Sequence, residues 1–271
     1  MKIKSLIWTL GIRPKPKTYG TELVQFELAQ EGTVAFHKWL HPKDYFHPFE
    51  QALIDELRTF IKPGDTVLDI GAHCGDYSLP LALASGRDGC VFAWEPNPYV
   101  YEVLHKNSLL NREKTNIVPV QAAAGETEGE LELNYSDPGF CNGGCFEGIS
   151  RWKHGHPYKL KVPEHRVVEW MMKNHPDRLT KLSFVKIDAE GFDHAVVRSL
   201  RDMLKVRHPT LHVEVYRHLN QGRREALWSE LVELGYDVFH ASGKFGCSPG
   251  QRLERGDLCK WQLYDVLAIP A

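Results

Sequence analysis

Short apolar strands alternate with helical patterns along most of this chain, and that alternation narrows its fold more than any other feature. Residues 66–70, 90–94, 117–122, 183–187 and 210–215 read as buried strands. Between them, residues 77–85, 99–110, 194–204 and 223–234 carry apolar positions at helical spacing. A strand, a helix and a second strand in regular succession imply parallel pairing, with helices covering both sheet faces. Residues 236–240 and 262–269 add two terminal strands, 129–135 and 159–162 two further ones, and 167–173 a helix. The expected class is α/β, a Rossmann-like, mostly parallel sheet. Upstream, residues 22–29 alternate, Glu31-Gly32 is a turn and 33–39 return, which predicts a β-hairpin. A helical pattern over 49–60 ends at Pro63-Gly64-Asp65. Residues 1–48 are therefore expected to form an N-terminal extension. Residues 49–271 form the main domain, with an inserted loop near 136–160.

Composition excludes several functions. Apolar residues make up 42% and charged residues 25%, the balance of a soluble globular protein. A net charge of −2 supplies no field to recruit nucleic acid or an anionic membrane, so neither is an expected partner. No apolar run approaches the roughly 18 residues of a membrane span. Lysines and a short apolar stretch over residues 2–10 suggest a signal peptide, but Arg13-Pro14-Lys15 stands where a cleavage site belongs. Six scattered cysteines point to a reducing, cytoplasmic setting. Cys141 and Cys145 are half of a zinc pattern, with His154 and His156 close by but no second cysteine pair. A homo-oligomer remains open.

Chemistry concentrates at strand ends, where ligands of such sheets bind. Val67-Leu68-Asp69-Ile70-Gly71-Ala72-His73-Cys74-Gly75 is a strand running into a glycine turn. The next strand ends in Glu95, followed by Pro96-Asn97-Pro98. A turn allowing close backbone approach, then a carboxylate one unit later, makes a nucleoside cradle whose acid accepts ribose hydroxyls. The G-x-G-x-x-G of dinucleotide sites is absent, and Asp69 suits a cationic cofactor better than a pyrophosphate. Asp69 alone would pass for a turn residue; Glu95 after it makes the functional reading. His73 stands where many such turns have glycine, and packing is its simpler role. A second cluster, Lys186-Ile187-Asp188-Ala189-Glu190-Gly191, puts Lys186, Asp188 and Glu190 on one side of a strand end. Charges there are costly unless paired or functional. Glu214 is a further strand-end acid that could pair with Lys186, meet a substrate or bind a metal.

Four segments in order, Asp69 to Ser78, Glu95 to Pro98, Asn107 to Asn111 and Lys186 to Gly191, resemble the FkbM family of S-adenosylmethionine-dependent methyltransferases. The similarity covers roughly residues 50–240. It implies a class I methyltransferase fold, a seven-stranded sheet with the last strand antiparallel, and O-methylation of sugars or secondary metabolites. By resemblance, Asp69, Gly71, Ala72, His73 and Gly75 form the cofactor turn and Glu95, with Pro96, holds the ribose. Asn97 and Ala122 or Ala123 lie near the adenine, and the 186–191 segment, Asp188 included, faces the transferred methyl. The partner is then a small-molecule or glycan hydroxyl. Asp188 or Glu190 is the expected general base, with Lys186 as a base if burial lowers its pKa. Asp188 and Glu214 could instead hold a divalent cation. The glycines at 139, 143, 144 and 148 suggest a mobile lid, and Trp8, Trp39 and Trp152 could stack on a sugar. Competing readings are a nicotinamide oxidoreductase, which lacks its glycine fingerprint, and a binding module without turnover.

Overall fold

Thr66–Ile70 (β3) is buried at every residue, because both faces of its sheet are covered. Leu68 and Ile70 enter one apolar cluster and Val67 enters the other. The structure, a computed structural model, describes residues 15–46, 48–135, 137–141, 143–144 and 158–271. The opening segment with Trp8, and Cys145, Gly148, Trp152, His154 and His156 of the expected lid and zinc pattern, lie outside the described residues.

Thr21–Leu28 (β1) and Gly32–Trp39 (β2) form the hairpin, paired over eight residues from Thr21↔Trp39 to Leu28↔Gly32. Helix Gln51–Leu57 (α1) leads to β3, then Ser78–Ser85 (α2), Cys90–Trp94 (β4), Pro98–Ser108 (α3) and Ile117–Val120 (β5). After Ala123–Ala124 (β6), Gly129–Tyr135 (β7), Gly143–Gly144 (β8) and Tyr158–His165 (β9) come helices Val167–Asn174 (α4) and Pro176–Leu179 (α5). The chain continues through Leu182–Ile187 (β10), Asp193–Ser199 (α6), Arg201–Arg207 (α7), Thr210–Val215 (β11) and Gln221–Glu233 (α8). Tyr236–Ser242 (β12), Ser248–Arg252 (β13) and Tyr264–Pro270 (β14) complete it.

The main sheet runs β5-β4-β3-β10-β11-β14-β12-β13. β3, β4, β5, β10 and β11 pair in parallel, and β14 runs antiparallel to its neighbours β11 and β12. The first seven strands of that order meet the class I expectation, with β14 as the reversed strand. β13 is an additional edge strand whose Ser-Pro-Gly-Gln-Arg sequence gives no apolar alternation to predict it. Helices α4, α6, α7 and α8 cover one face and α1, α2, α3 and the hairpin the other. Every residue of α2 is buried, its terminal Ser78 and Ser85 included, so it packs on all sides. The chain moves from β3 outward to β5 and then crosses back to β10, which opens a crevice at the carboxyl ends of β3, β4 and β10.

Two expected elements divide. The strand over 117–122 stops at Val120, and Ala123-Ala124 pairs with β9 in a separate four-stranded sheet, β6-β9-β7-β8. There Leu131↔Val162, Leu133↔Leu160 and Tyr135↔Tyr158 face each other across β7 and β9, and that face closes a third apolar cluster. The helix over 194–204 breaks at Leu200, whose amide donates to both Val196 and Val197 carbonyls, tightening the turn. No proline or glycine marks that break.

The hairpin is docked by two asparagines, Asn107 in the last turn of α3 and Asn111 just beyond it. Asn107 Oδ1 accepts from His37 N (2.6 Å) and its Nδ2 donates to His37 O (3.1 Å) and Cys74 O (2.8 Å). Asn111 Oδ1 accepts from Ala35 N (2.9 Å) and its Nδ2 donates to Ala35 O (2.8 Å). The two amides act as a surrogate neighbouring strand for the free edge of β2. Among the described residues no helix is long and apolar enough to cross a membrane.

Candidate functional site

Three turns converge at the crevice. In the first, Gly71 N and Ala72 N donate to Trp94 O at 3.0 and 2.9 Å, drawing the turn over the end of β4. Gly71 has φ +79°, and a Cβ there would stand 1.9 Å from the Asp188 carbonyl oxygen, so only glycine fits. His73 has φ +49° without being glycine, a conformation that costs about 1–3 kcal/mol and clusters at functional sites. Gly75 faces Leu104 and Asn107 of α3 and serves helix packing.

In the second turn, Glu95 is 7% exposed, and its carboxylate accepts from His73 N (3.0 Å) and Asn97 N (2.8 Å). Burial raises its pKa, opposed by His73 and those two amides. One amide per oxygen leaves acceptor capacity on both. Asn97 caps α3 by accepting from Tyr99 N (3.0 Å) and donates to Phe140 O (2.6 Å). Phe140 stacks on Tyr99 at 4.6 Å between ring centres. Asn97 thus ties the 137–141 segment to the cleft wall.

The third turn follows β10. Lys186 Nζ lies 3.3 Å from Asp188 Oδ2, 3.7 Å from Asp69 Oδ1 and 5.4 Å from the centre of the Tyr77 ring. Burial alone would lower its pKa, but Asp188 and Asp69 outweigh that and raise it. Lys186 is a fixed cation, and the expectation of a neutral lysine base falls. Glu190 has φ +51°, and burial, aided by Asp188, pushes its carboxyl up to about 7. Asp193, which the sequence reading passed over, is fully buried and accepts from Ala189 N (2.7 Å) and Gly191 N (3.0 Å). An acid in the first turn of a helix was the available signal.

Two openings share these turns. One, of about 970 Å³, is lined by Glu95, Pro96, Asn97, Ala122, Ala123, Glu190 and the apolar wall Leu131, Leu133 and Tyr135. The other, of about 700 Å³, is lined by Lys43, Asp44, Tyr45, Asp76, Tyr77 and Lys186. Gly71, His73, Cys141 and Asp188 line both. Residues 43–45 carried no recognisable motif, and only the fold brings them here; Asp76 lies within the Asp69 to Ser78 segment but was not singled out. His73 Nδ1 lies 4.0 Å from Asp44, and its ring meets Trp39 edge-on at 5.9 Å.

Two expected participants stand apart. Asp69 lines neither opening; it is fully buried, accepts from Ser78 Oγ at 2.6 Å and braces Lys186. Its place beneath the turn, not in it, follows from β3, whose even-spaced side chains point into the layer below. Glu214 also lines neither opening, and burial, with Asp188, Glu190 and Asp193 nearby, pushes its carboxyl up to about 9. Among the described residues no three His, Cys, Asp or Glu side chains group to hold a metal, and of the expected Asp188–Glu214 pair only Asp188 lines the openings.

The residues present fit S-adenosylmethionine. Glu95 offers paired acceptors for a diol, the wall of Ala122, Ala123, Leu131 and Leu133 offers an apolar slot for a flat base, and Gly71 permits backbone approach. The Asp188 and Glu190 carboxylates line the same opening and suit a cationic group.

The chain is similar to several known proteins. A fibrillarin-like rRNA/tRNA 2′-O-methyltransferase of Thermococcus onnurineus is 32% identical over 128 residues, covering 47% of this chain. The match spans 52% of that relative, about half its length. Among solved structures, Methyltransferase FkbM from Methylobacillus flagellatus has a TM-score of 0.46 at 12% identity, covering 80% of this chain and 51% of that one. Aeropyrum pernix fibrillarin with bound S-adenosyl-L-methionine has a TM-score of 0.45 at 11% identity, covering 95% and 98%. The Methyltransferase FkbM domain profile matches residues 69–238, more than half of the chain. The chain belongs to the FkbM methyltransferase family.

Proposed function

We propose that this chain transfers a methyl group from S-adenosylmethionine to a hydroxyl oxygen of a sugar or secondary metabolite. The observation that carries this reading is the junction of the two openings at Gly71, His73, Cys141 and Asp188. The opening lined by Glu95 and the apolar wall suits the nucleoside and the one lined by Lys43, Asp44 and Tyr45 the acceptor, so the reacting atoms meet beside Asp188. Bound there, S-adenosylmethionine supplies a methyl already activated on a sulfonium. The protein's task is alignment, which is worth several kcal/mol of barrier, about 7 in good cases. An acceptor hydroxyl held in the second opening would give its proton to Asp188, which lines both openings. Lys186 orients that carboxylate through their 3.3 Å ion pair. Tyr45, 84% exposed at the rim, and the Asp44 and Asp76 carboxylates suit a ring bearing several hydroxyl donors.

An RNA ribose hydroxyl is a second acceptor reading, favoured by the Thermococcus relative. The net charge of −2 weighs against it. Cofactor with a labelled methyl, offered to a panel of glycosides and hydroxylated metabolites and to rRNA and tRNA transcripts, separates the two. Label in the RNA arm alone overturns the small-molecule reading. With the active acceptor, Asp188→Asn is expected to cut turnover about 10²–10⁴-fold while S-adenosylhomocysteine affinity stays within about threefold. Full turnover in that variant removes Asp188 as the base. Binding of NAD in preference to S-adenosylhomocysteine would return the oxidoreductase reading.

A further inference from the structure

Three carboxylates line the cofactor opening, and two of them are occupied. Glu95 is held by two backbone amides, and Asp188 is paired with Lys186. Glu190 is half-buried, and among the described residues its carboxyl makes no hydrogen bond and no ion pair. It is nevertheless held in place. Glu190 at φ +51° and Gly191 at φ +94° are consecutive left-handed residues, a conformation that costs energy at the glutamate. Asp193 sustains it, one oxygen accepting from the amide before Glu190 and the other from the amide after it. The turn is also fixed from outside. Asp188 N donates to Ile70 O at 2.9 Å, Asp188 O sits against Gly71, and Gly191 packs on the Tyr216 ring. Asp188, Ala189, Glu190 and Phe192 consequently all line the cofactor opening.

A strained residue, clamped on both sides, whose carboxylate has no hydrogen bond or ion pair among the described residues and faces a ligand cleft suits a cationic ligand group. The cofactor named above carries an ammonium in both its forms. Its sulfur is charged before methyl transfer and neutral afterwards. We infer that Asp193 is a positioning residue whose clamp aims Glu190 at the cofactor's sulfonium, so that the site holds the charged methyl donor more tightly than the spent thioether. The inference rests on the proposed cofactor and adds to it a means of expelling product, since the attraction vanishes with the charge.

Calorimetric titration of the full chain with S-adenosylmethionine and with S-adenosylhomocysteine at pH 8 tests this without any acceptor. The wild type is expected to bind the sulfonium form about tenfold more tightly. Glu190→Gln should bring that ratio near one, by weakening S-adenosylmethionine about tenfold and S-adenosylhomocysteine less than threefold. Asp193→Asn should shift the ratio in the same direction, which a loss of stability alone would not do. A wild-type ratio near one, or a ratio unchanged in Glu190→Gln, overturns the inference. Equal weakening of both ligands in Asp193→Asn removes the positioning role. Should that variant not fold, amide exchange in the wild type serves instead: Ala189 and Gly191 amides as protected as those of β10 support the clamp, and loop-like rates refute it. Binding of neither ligand to the wild type refutes the proposed cofactor itself.

Discussion

Lys186 shows how a residue's surroundings decide its chemistry. Between Asp69 and Asp188 it is a cation that fixes two carboxylates, one outside the clefts and one at their junction. Lys186→Met would strand Asp69, which is fully buried, and breaking a buried pair in this way costs about 3–5 kcal/mol. Urea unfolding should show that loss, and a midpoint unchanged from wild type would mean the pair contributes nothing. Glu95→Gln replaces one acceptor oxygen with a donor facing an amide, so S-adenosylhomocysteine affinity should fall at least about tenfold by calorimetry. The raised carboxyls carry a pH prediction of their own. Glu190 and Asp193 both titrate near 7 in the folded chain, above their ordinary values of 4.5 and 3.8. Between those values and 7 the folded state binds the extra protons, so their contribution is full at low pH and is lost as pH rises through 7. The ligand-free chain should therefore melt lower at pH 8 than at pH 5, and Glu190→Gln should reduce the difference. A melting temperature that rises from pH 5 to 8 by the same amount in both proteins would contradict this.

Elements were legible where a single periodicity ran through them. β4 is a continuous apolar run, β3, β10 and β11 are short runs rich in Val, Leu and Ile, and the hairpin brackets the Glu31-Gly32 turn, so their residues announce them. The break at Leu200 and the strand β13 depend on backbone bonding and edge pairing, which leave no trace in hydropathy. The same division holds for the site. Glu95, Asp188 and Glu190 stand at strand ends and could be picked out. Lys43, Asp44 and Tyr45 reach the site only because the hairpin docks on α3, a contact between segments some 70 residues apart. Asp69 was recognisable as an acid before a glycine turn, but the side to which its chain points depends on β3 register. The docking has its own test. Asn107→Leu removes three hydrogen bonds and leaves the His37 and Cys74 groups unmatched, a cost of about 2–4 kcal/mol in urea unfolding. Asn111→Leu breaks only the Ala35 pair and should cost less.

On the scale of the molecule, the hairpin is part of the core. Leu28, Val34, Phe36 and Trp39 are all buried in the cluster that also holds α1, α2 and α3. Removing residues 1–48 would bare that surface, and the remainder is expected to aggregate or to bind a hydrophobic dye strongly. A monodisperse, folded remainder would show the hairpin to be dispensable. The layers also explain why the cofactor opening lies where it does. Helices cover both faces of the sheet, so the crevice left by the crossover from β5 back to β10 is its remaining access. The smaller sheet closes one side of that crevice with Leu131, Leu133 and Tyr135. One bond across this architecture gives the chain an internal reporter. Asn107 grips the hairpin strand β2 with both ends of its amide and the glycine turn with its Nδ2. The backbone resonance of His37, far along the chain from any cofactor contact, should therefore move when the turn tightens on a nucleoside, allowing occupancy to be read from the protein's outer edge.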